Sequence, residues 1–161
     1  MPNIVEHPDR PYVGVRRTIT MTTFSEVADR IGELVGWLAQ RGIAPAGAPF
    51  LRYDSIDMAA DRLVVEAGVP IVEPVTGEGD IFAAHLPAGR YATVTHHGHP
   101  DQLAGVVEAL LKWAAERDLA WDMSEKDGAE HWGCRLELYR TDPRVELDPS
   151  KWDIDLEFRL A

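Results

Sequence analysis

A strand-helix-strand-strand pattern occurs twice in this sequence. Tyr12-Val13-Gly14-Val15-Arg16-Arg17 leads into an amphipathic helix pattern that closes on Trp37-Leu38-Ala39-Gln40-Arg41. Tyr91-Ala92-Thr93-Val94-Thr95-His96 leads into a second, which closes on Trp113-Ala114-Ala115-Glu116-Arg117. Two short strand patterns follow each helix, and the first of each pair carries a tyrosine at the matching place, Tyr53 and Tyr139. Such a unit used twice, over about residues 11–72 and 90–160, predicts an α+β fold: two pseudo-symmetric modules sharing one sheet, with one helix per half, in a single domain of residues 1–161. It also makes a seam between the halves, and seams are where ligands tend to bind.

The chain has 161 residues, enough for one domain with a sizeable core. With 45% apolar residues it is no disordered chain. Sixteen basic against 27 acidic residues leave a net charge of −11, which argues against nucleic acid or an anionic membrane as the main partner. That charge suits neutral or cationic small molecules; it is equally the charge of a solvated acidic surface. Cys134 is the sole cysteine, so there is no internal disulfide and no cysteine-rich zinc site. Its strand context marks a small buried thiol. The N-terminus lacks a basic segment followed by an apolar run, and no stretch is apolar enough to span a membrane, so a cytoplasmic protein is expected.

Helix one is predicted from Thr23, where Thr23-Phe24-Ser25-Glu26 fits a capping box, to Gly42. Phe24, Val27, Ala28, Ile31, Leu34, Val35 and Leu38 form its predicted buried stripe. Helix two starts near Pro100, with Leu103, Val106, Val107, Leu110, Leu111 and Ala114. Each stripe is one-sided, as for helices lying on one face of a sheet. Strands are predicted at 12–19, 50–54, 63–71, 81–86, 90–97, 134–140 and 152–158. The stretches 73–80, 121–129 and 141–150 read as loops.

The alternation in Cys134-Arg135-Leu136-Glu137-Leu138-Tyr139-Arg140 sets Cys134, Leu136 and Leu138 on one face and Arg135, Glu137 and Tyr139 on the other. If the helices cover the apolar face, the opposite face presents a carboxylate beside a phenol. The first half aligns Leu51 and Tyr53 there, so Glu137 is the asymmetric element of an otherwise symmetric groove. The strand from Tyr91 would add Tyr91, Thr93 and Thr95 to the groove. Aromatic rings around one acid suit planar cations, which the rings stack on and the carboxylate neutralises. The plainer alternative is a solvent-facing strand with Glu137 paired to Arg135 or Arg140. His96-His97-Gly98-His99 invites a metal reading, but adjacent strand histidines point to opposite faces, and a turn into helix two is the better account. No triad, nucleophile elbow, P-loop or dinucleotide fingerprint is present.

Several segments, in order, resemble the GyrI-like small-molecule-binding family, which includes the effector-binding domains of BmrR-type multidrug regulators. They are Leu86-Pro87-Ala88-Gly89-Arg90-Tyr91-Ala92, His97-Gly98, Leu136-Glu137-Leu138-Tyr139 with Thr141-Asp142-Pro143, and Asp153-Ile154-Asp155-Leu156-Glu157. The resemblance covers almost the whole chain. It implies a curved antiparallel sheet with two helices on one side and a ligand groove on the other, at the pseudo-twofold seam. It puts the family's pocket glutamate at Glu137. The family commonly has an aromatic residue before that acid, where this chain has Leu136, with Trp132 further upstream. Family regulators carry a helix-turn-helix domain that the residues before Tyr12 are too few to hold, so a stand-alone binding domain is expected.

The first expectation is therefore a binder of hydrophobic, often cationic, aromatic compounds, without a cofactor or metal. Its site would comprise Glu137, Tyr139, Tyr53, Tyr91, Trp132, Leu51 and Thr93. The second, implied by stand-alone relatives, is a hydrolase opening cyclopropane-containing DNA-alkylating natural products, with Glu137 as general base and Tyr139 as proton or hydrogen-bond donor. The third is a protein-interaction module such as a topoisomerase inhibitor, whose acids would cluster on one surface.

Overall fold

In the computed structural model, which describes residues 1–161, one antiparallel sheet holds every strand. The elements are β1 (Asn3–His7), β2 (Arg10–Ile19), α1 (Ser25–Ala28), α2 (Arg30–Gln40), β3 (Phe50–Asp57), β4 (Arg62–Pro70), β5 (Phe82–Leu86), β6 (Gly89–His97), α3 (Leu103–Ala115), β7 (Met123–Lys126), β8 (Ala129–Trp132), β9 (Arg135–Tyr139) and β10 (Asp153–Arg159). The strand order is β1-β6-β10-β9-β3-β4-β2-β5, and the β7–β8 hairpin joins the sheet through β3.

The register has a two-fold pattern. In the first half Tyr12 lies opposite Pro70 and Leu51 opposite Ala67. In the second, Tyr91 lies opposite Arg159 and Glu137 opposite Leu156. The halves meet where β3 pairs with β9, and there Leu51 faces Glu137. One row of side chains thus crosses the sheet as Val15, Ala67, Leu51, Glu137, Leu156, Val94.

Both helical segments pack on the face of that row. Val27 of α1 and Leu34 and Leu38 of α2 cluster with Val13, Val15, Leu51, Val65 and Ala67. Leu103 and Leu110 of α3 cluster with Ala92, Ile154, Leu156 and Phe158. Each buried Val, Leu, Ile or Phe side chain among them contributes about 1.5–3 kcal/mol relative to an exposed one. The other face carries a third cluster of Tyr12, Phe50, Leu86, Tyr91, Cys134 and Leu136. The sheet curls over it. Arg10 on β2 donates to Glu157 on β10 at 3.3 Å, although β9, β3 and β4 lie between those strands in the sheet.

This arrangement corrects the expected placement of the groove. Glu137 stands on the helix-bearing face, not the helix-free one. The expectation took the face of Cys134, Leu136 and Leu138 to be the one the helices cover; its apolar residues are instead buried by the curl of the sheet.

Three local expectations also change. Helix one is broken at Asp29 into α1 and α2, and Phe24 rather than Thr23 occupies its cap position without a side-chain cap bond. The Thr23 hydroxyl accepts the Thr20 amide at 2.8 Å instead, closing the turn that leaves β2. The stretch 121–129, read as a loop, contains β7 and the turn into β8. The N-terminal segment, assigned no element, forms β1 and pairs with β6.

Candidate functional site

Glu137 sits half-buried where β9 meets β3, at the seam of the two halves. Both carboxylate oxygens accept a phenol. Tyr53 donates to Oε1 at 2.9 Å and Tyr139 to Oε2 at 2.8 Å. Tyr53 comes from the first module and Tyr139 from the second, so each half supplies one donor. Leu51, 2% exposed, faces Glu137 across the strand pair.

Burial pushes the Glu137 carboxyl above its usual range, against the pull of the two phenols and of Arg135. Burial and the neighbouring Glu137 also hold Tyr53 and Tyr139 well above the ordinary phenol value, so both remain donors at neutral pH. Neither expected arginine pairs with Glu137: Arg140 pairs with Asp155 at 2.5 Å, and the nearest carboxylate contact of Arg135 is Glu130 at 3.9 Å. A carboxylate with hydrogen bonds but no counter-ion can take a cation, or a proton.

The surroundings are apolar on both sides. Tyr139 and Ile56 pack against both helix-side clusters, which places them at the seam. Phe24 lies edge-on to Tyr53 with ring centroids 6.3 Å apart. Strict alternation along β3 would give Ser55 the same face as Tyr53. A bulge between Tyr53 and Ser55 restores Ile56 to that face, and only the paired register reveals it. A surface hollow of about 330 Å³ lies next to this seam, between Ile56, Met58 and the β7–β8 turn, and does not include Glu137.

Trp132 is 7% exposed, and its indole donates to Glu130 at 3.0 Å. It belongs to an aromatic group with Trp121 and Phe158, at 5.8 Å and 5.5 Å. The Arg135 guanidinium sits among these rings. Tyr91 and Thr93 are not brought to the site. Their pairing with Arg159 and Glu157 sets them on the opposite face, where the Tyr91 hydroxyl donates to the Pro87 carbonyl at 2.6 Å. The repeat aligns Tyr91 with Tyr12, and Tyr12 faces the same way, donating to Glu66. The histidine run ends β6 at His97 and turns into α3 at Gly98-His99: His99 accepts the Asp101 amide at 3.1 Å, and His97 contacts Asp153 at 2.7 Å.

The family model for the GyrI-like small molecule binding domain matches residues 1–161. The chain belongs to the GyrI-like family. Among solved structures, it is similar to the C-terminal domain of EcmrR, with a TM-score of 0.77 at 18% identity, covering 100% of this chain and 97% of that one. A hydrolase from Listeria innocua matches with a TM-score of 0.67 at 13% identity, over 99% of this chain and 91% of that one. SAV2435 bound to tetraphenylphosphonium matches with a TM-score of 0.58 at 11% identity, over 100% and 94% of the two chains. Identities this low establish the GyrI-like fold they share. A comparison with curated protein sequences finds no significant match. No helix is long and apolar enough to cross a membrane.

Proposed function

We propose that this GyrI-like domain binds aromatic small molecules bearing positive charge at the seam of its two halves, with the Glu137 carboxylate as counter-charge. The observation that carries the reading is a half-buried carboxylate held by a phenol from each half and matched by no cation. In so apolar a setting a ligand cation supplies what the fold does not. Tyr53, Tyr139, Leu51 and Trp132 would frame the ligand. The −11 charge of the chain supports a small molecule over nucleic acid as the bound species. SAV2435, of the same fold, is bound to tetraphenylphosphonium, which is such a cation.

The test is isothermal titration with tetraphenylphosphonium and with neutral triphenylphosphine oxide, on wild type and Glu137→Gln. The amide keeps the shape and the hydrogen-bonding capacity of the acid. We expect cation binding to weaken by about 1–3 kcal/mol, the scale of a charge-assisted contact, and the neutral compound to be little affected. Equal changes for both compounds would remove the carboxylate from the reading.

A second reading, hydrolysis of a strained electrophilic ring, is favoured by one feature. A carboxyl raised by burial is suited to accept a proton from water, and the Tyr139 hydroxyl stands 2.8 Å away as a donor. Under this reading Glu137→Gln lowers turnover of a cyclopropanoid substrate about 100-fold while its binding is nearly unchanged.

A further inference from the structure

Arg135 shares the face of Glu137, two residues earlier on β9, so the two Cα atoms are roughly 7 Å apart. Its guanidinium carbon lies 4.5 Å from the Phe158 ring centroid, 4.9 Å from that of Trp132 and 5.7 Å from that of Tyr53. The side chain is 14% exposed, and its one ion contact, to Glu130, is a loose 3.9 Å. It forms no hydrogen bond, yet none of its nitrogens is among the sealed, unpartnered atoms, so its donors reach the solvent side of the cage. Tyr53 touches both groups: its hydroxyl donates to Glu137 and its ring flanks Arg135. The seam therefore presents a carboxylate without an ion pair and, two residues away on the same strand, a guanidinium with only a loose one.

We propose that Arg135 is a second ligand anchor, and that the site selects aromatic zwitterions, whose cation meets Glu137 and whose carboxylate or other anionic oxygen meets the Arg135 fork. This rests on the reading of Glu137 given above and narrows its ligand class. Three rings surround the guanidinium, so little conformational freedom is lost when a carboxylate docks on it. Burial also lowers the proton affinity of Arg135 below that of an ordinary arginine, and the charges of Tyr53, Glu130 and Glu137 offset this only in part. A ligand with only a positive charge satisfies Glu137 and leaves Arg135 with no more than its loose contact to Glu130.

Rhodamine B, which bears a carboxylate, and its ethyl ester, which does not, share one cationic ring system. Fluorescence anisotropy gives both dissociation constants for wild type, Arg135→Gln, Arg135→Lys and Glu137→Gln. We expect wild type to bind the zwitterion about tenfold or more tighter than the ester, the scale of a charge-assisted bidentate contact. Arg135→Gln should erase that preference while ester binding holds or improves. Arg135→Lys, which keeps the charge without the fork, should retain part of it. Glu137→Gln should weaken both dyes. Equal affinities for the two dyes in wild type, or a preference unchanged in Arg135→Gln, would overturn the role of Arg135 and leave the Glu137 reading standing. If neither dye nor tetraphenylphosphonium binds wild type, the site itself falls, and the proposal with it. The wild-type dye comparison decides the matter even if the glutamine variant does not fold.

Discussion

At the scale of single residues, the half-buried Glu137 and the buried Glu66 face opposite sides of the sheet and differ in what surrounds them. Glu137 has two phenols and no ion pair. Glu66, 3% exposed on the helix-free face, accepts the Tyr12 hydroxyl and has Arg16 at 3.4 Å. Burial, then the hydrogen bond and charge of Asp54, push Glu66 up to about 7, against the pull of Tyr12 and Arg52. Its folded value lies above its unfolded one, so its contribution to stability is fully present below about pH 4.5 and is lost as pH rises through about 7. We expect urea unfolding of wild type to show a stability decrease on the order of 2–3 kcal/mol between about pH 5 and 8, absent in Glu66→Gln. An identical pH slope in both proteins would mean that Glu66 is ionised in the fold. The sequence pointed to Glu137 through the parity of its strand and the resemblance. It gave no sign of Glu66, because a glutamate within Leu63 to Ile71 reads as an outward polar residue until the curl of the sheet is known.

At the scale of elements, legibility followed how much of an element is specified by its own residues. The strands and helices of the repeat carry dense apolar periodicity and were read within a few residues. The hairpin β7–β8 was not. Ser124, Glu125, Lys126 and Glu130 conceal its alternation, although Asp127-Gly128 is the sequence of a two-residue hairpin turn. Both turn residues have positive φ, 54° and 81°. A Cβ on Gly128 meets nothing within 4 Å, so Gly128→Ala should cost only the backbone strain, about 1 kcal/mol, read as a lower melting temperature by circular dichroism. A neutral result would mean that the hairpin adopts another turn. Strand β1 was missed for a related reason: only Ile4 and Val5 mark it, and its hydrogen bonds come from β6. The paired Trp-Arg endings of the helices have a clear physical role. Arg41 lies 3.8 Å above the Trp37 ring and Arg117 4.4 Å above that of Trp113, and each donates to the carbonyl of its tryptophan. Arg117→Ala should therefore destabilise by about 0.5–1 kcal/mol, measurable by the same melts. No change would reduce the matching endings to coincidence.

At the scale of the molecule, parity divided β9 into two faces but did not say which one the helices cover. That inference assumes one buried face and one wet face, as in an open antiparallel sheet. Here both are buried, one under helices and one inside the curl, so an apolar face and a helix-covered face are not the same thing. The curl is held by contacts between the halves. Glu157 of β10 accepts Arg10 at 3.3 Å and faces His7 at 3.1 Å, with its side chain 11% exposed. Removing one partner of such a pair strands the other charge, which costs more than replacing both. We expect Glu157→Ala to lower unfolding free energy by about 3 kcal/mol, since Arg10 already has Nε and Nη2 without partners. The double change Arg10→Met with Glu157→Leu should recover at least half of that, because two apolar side chains can fill the same space without a stranded charge. Urea unfolding followed by tryptophan fluorescence measures both. A loss below about 1 kcal/mol in Glu157→Ala would mean that the apolar cluster of Tyr12, Phe50, Tyr91 and Leu136 closes the sheet unaided. A double variant no better than the single would mean that the ion pair itself, and not the avoidance of a lone charge, fixes the curl against which the Glu137 seam is built.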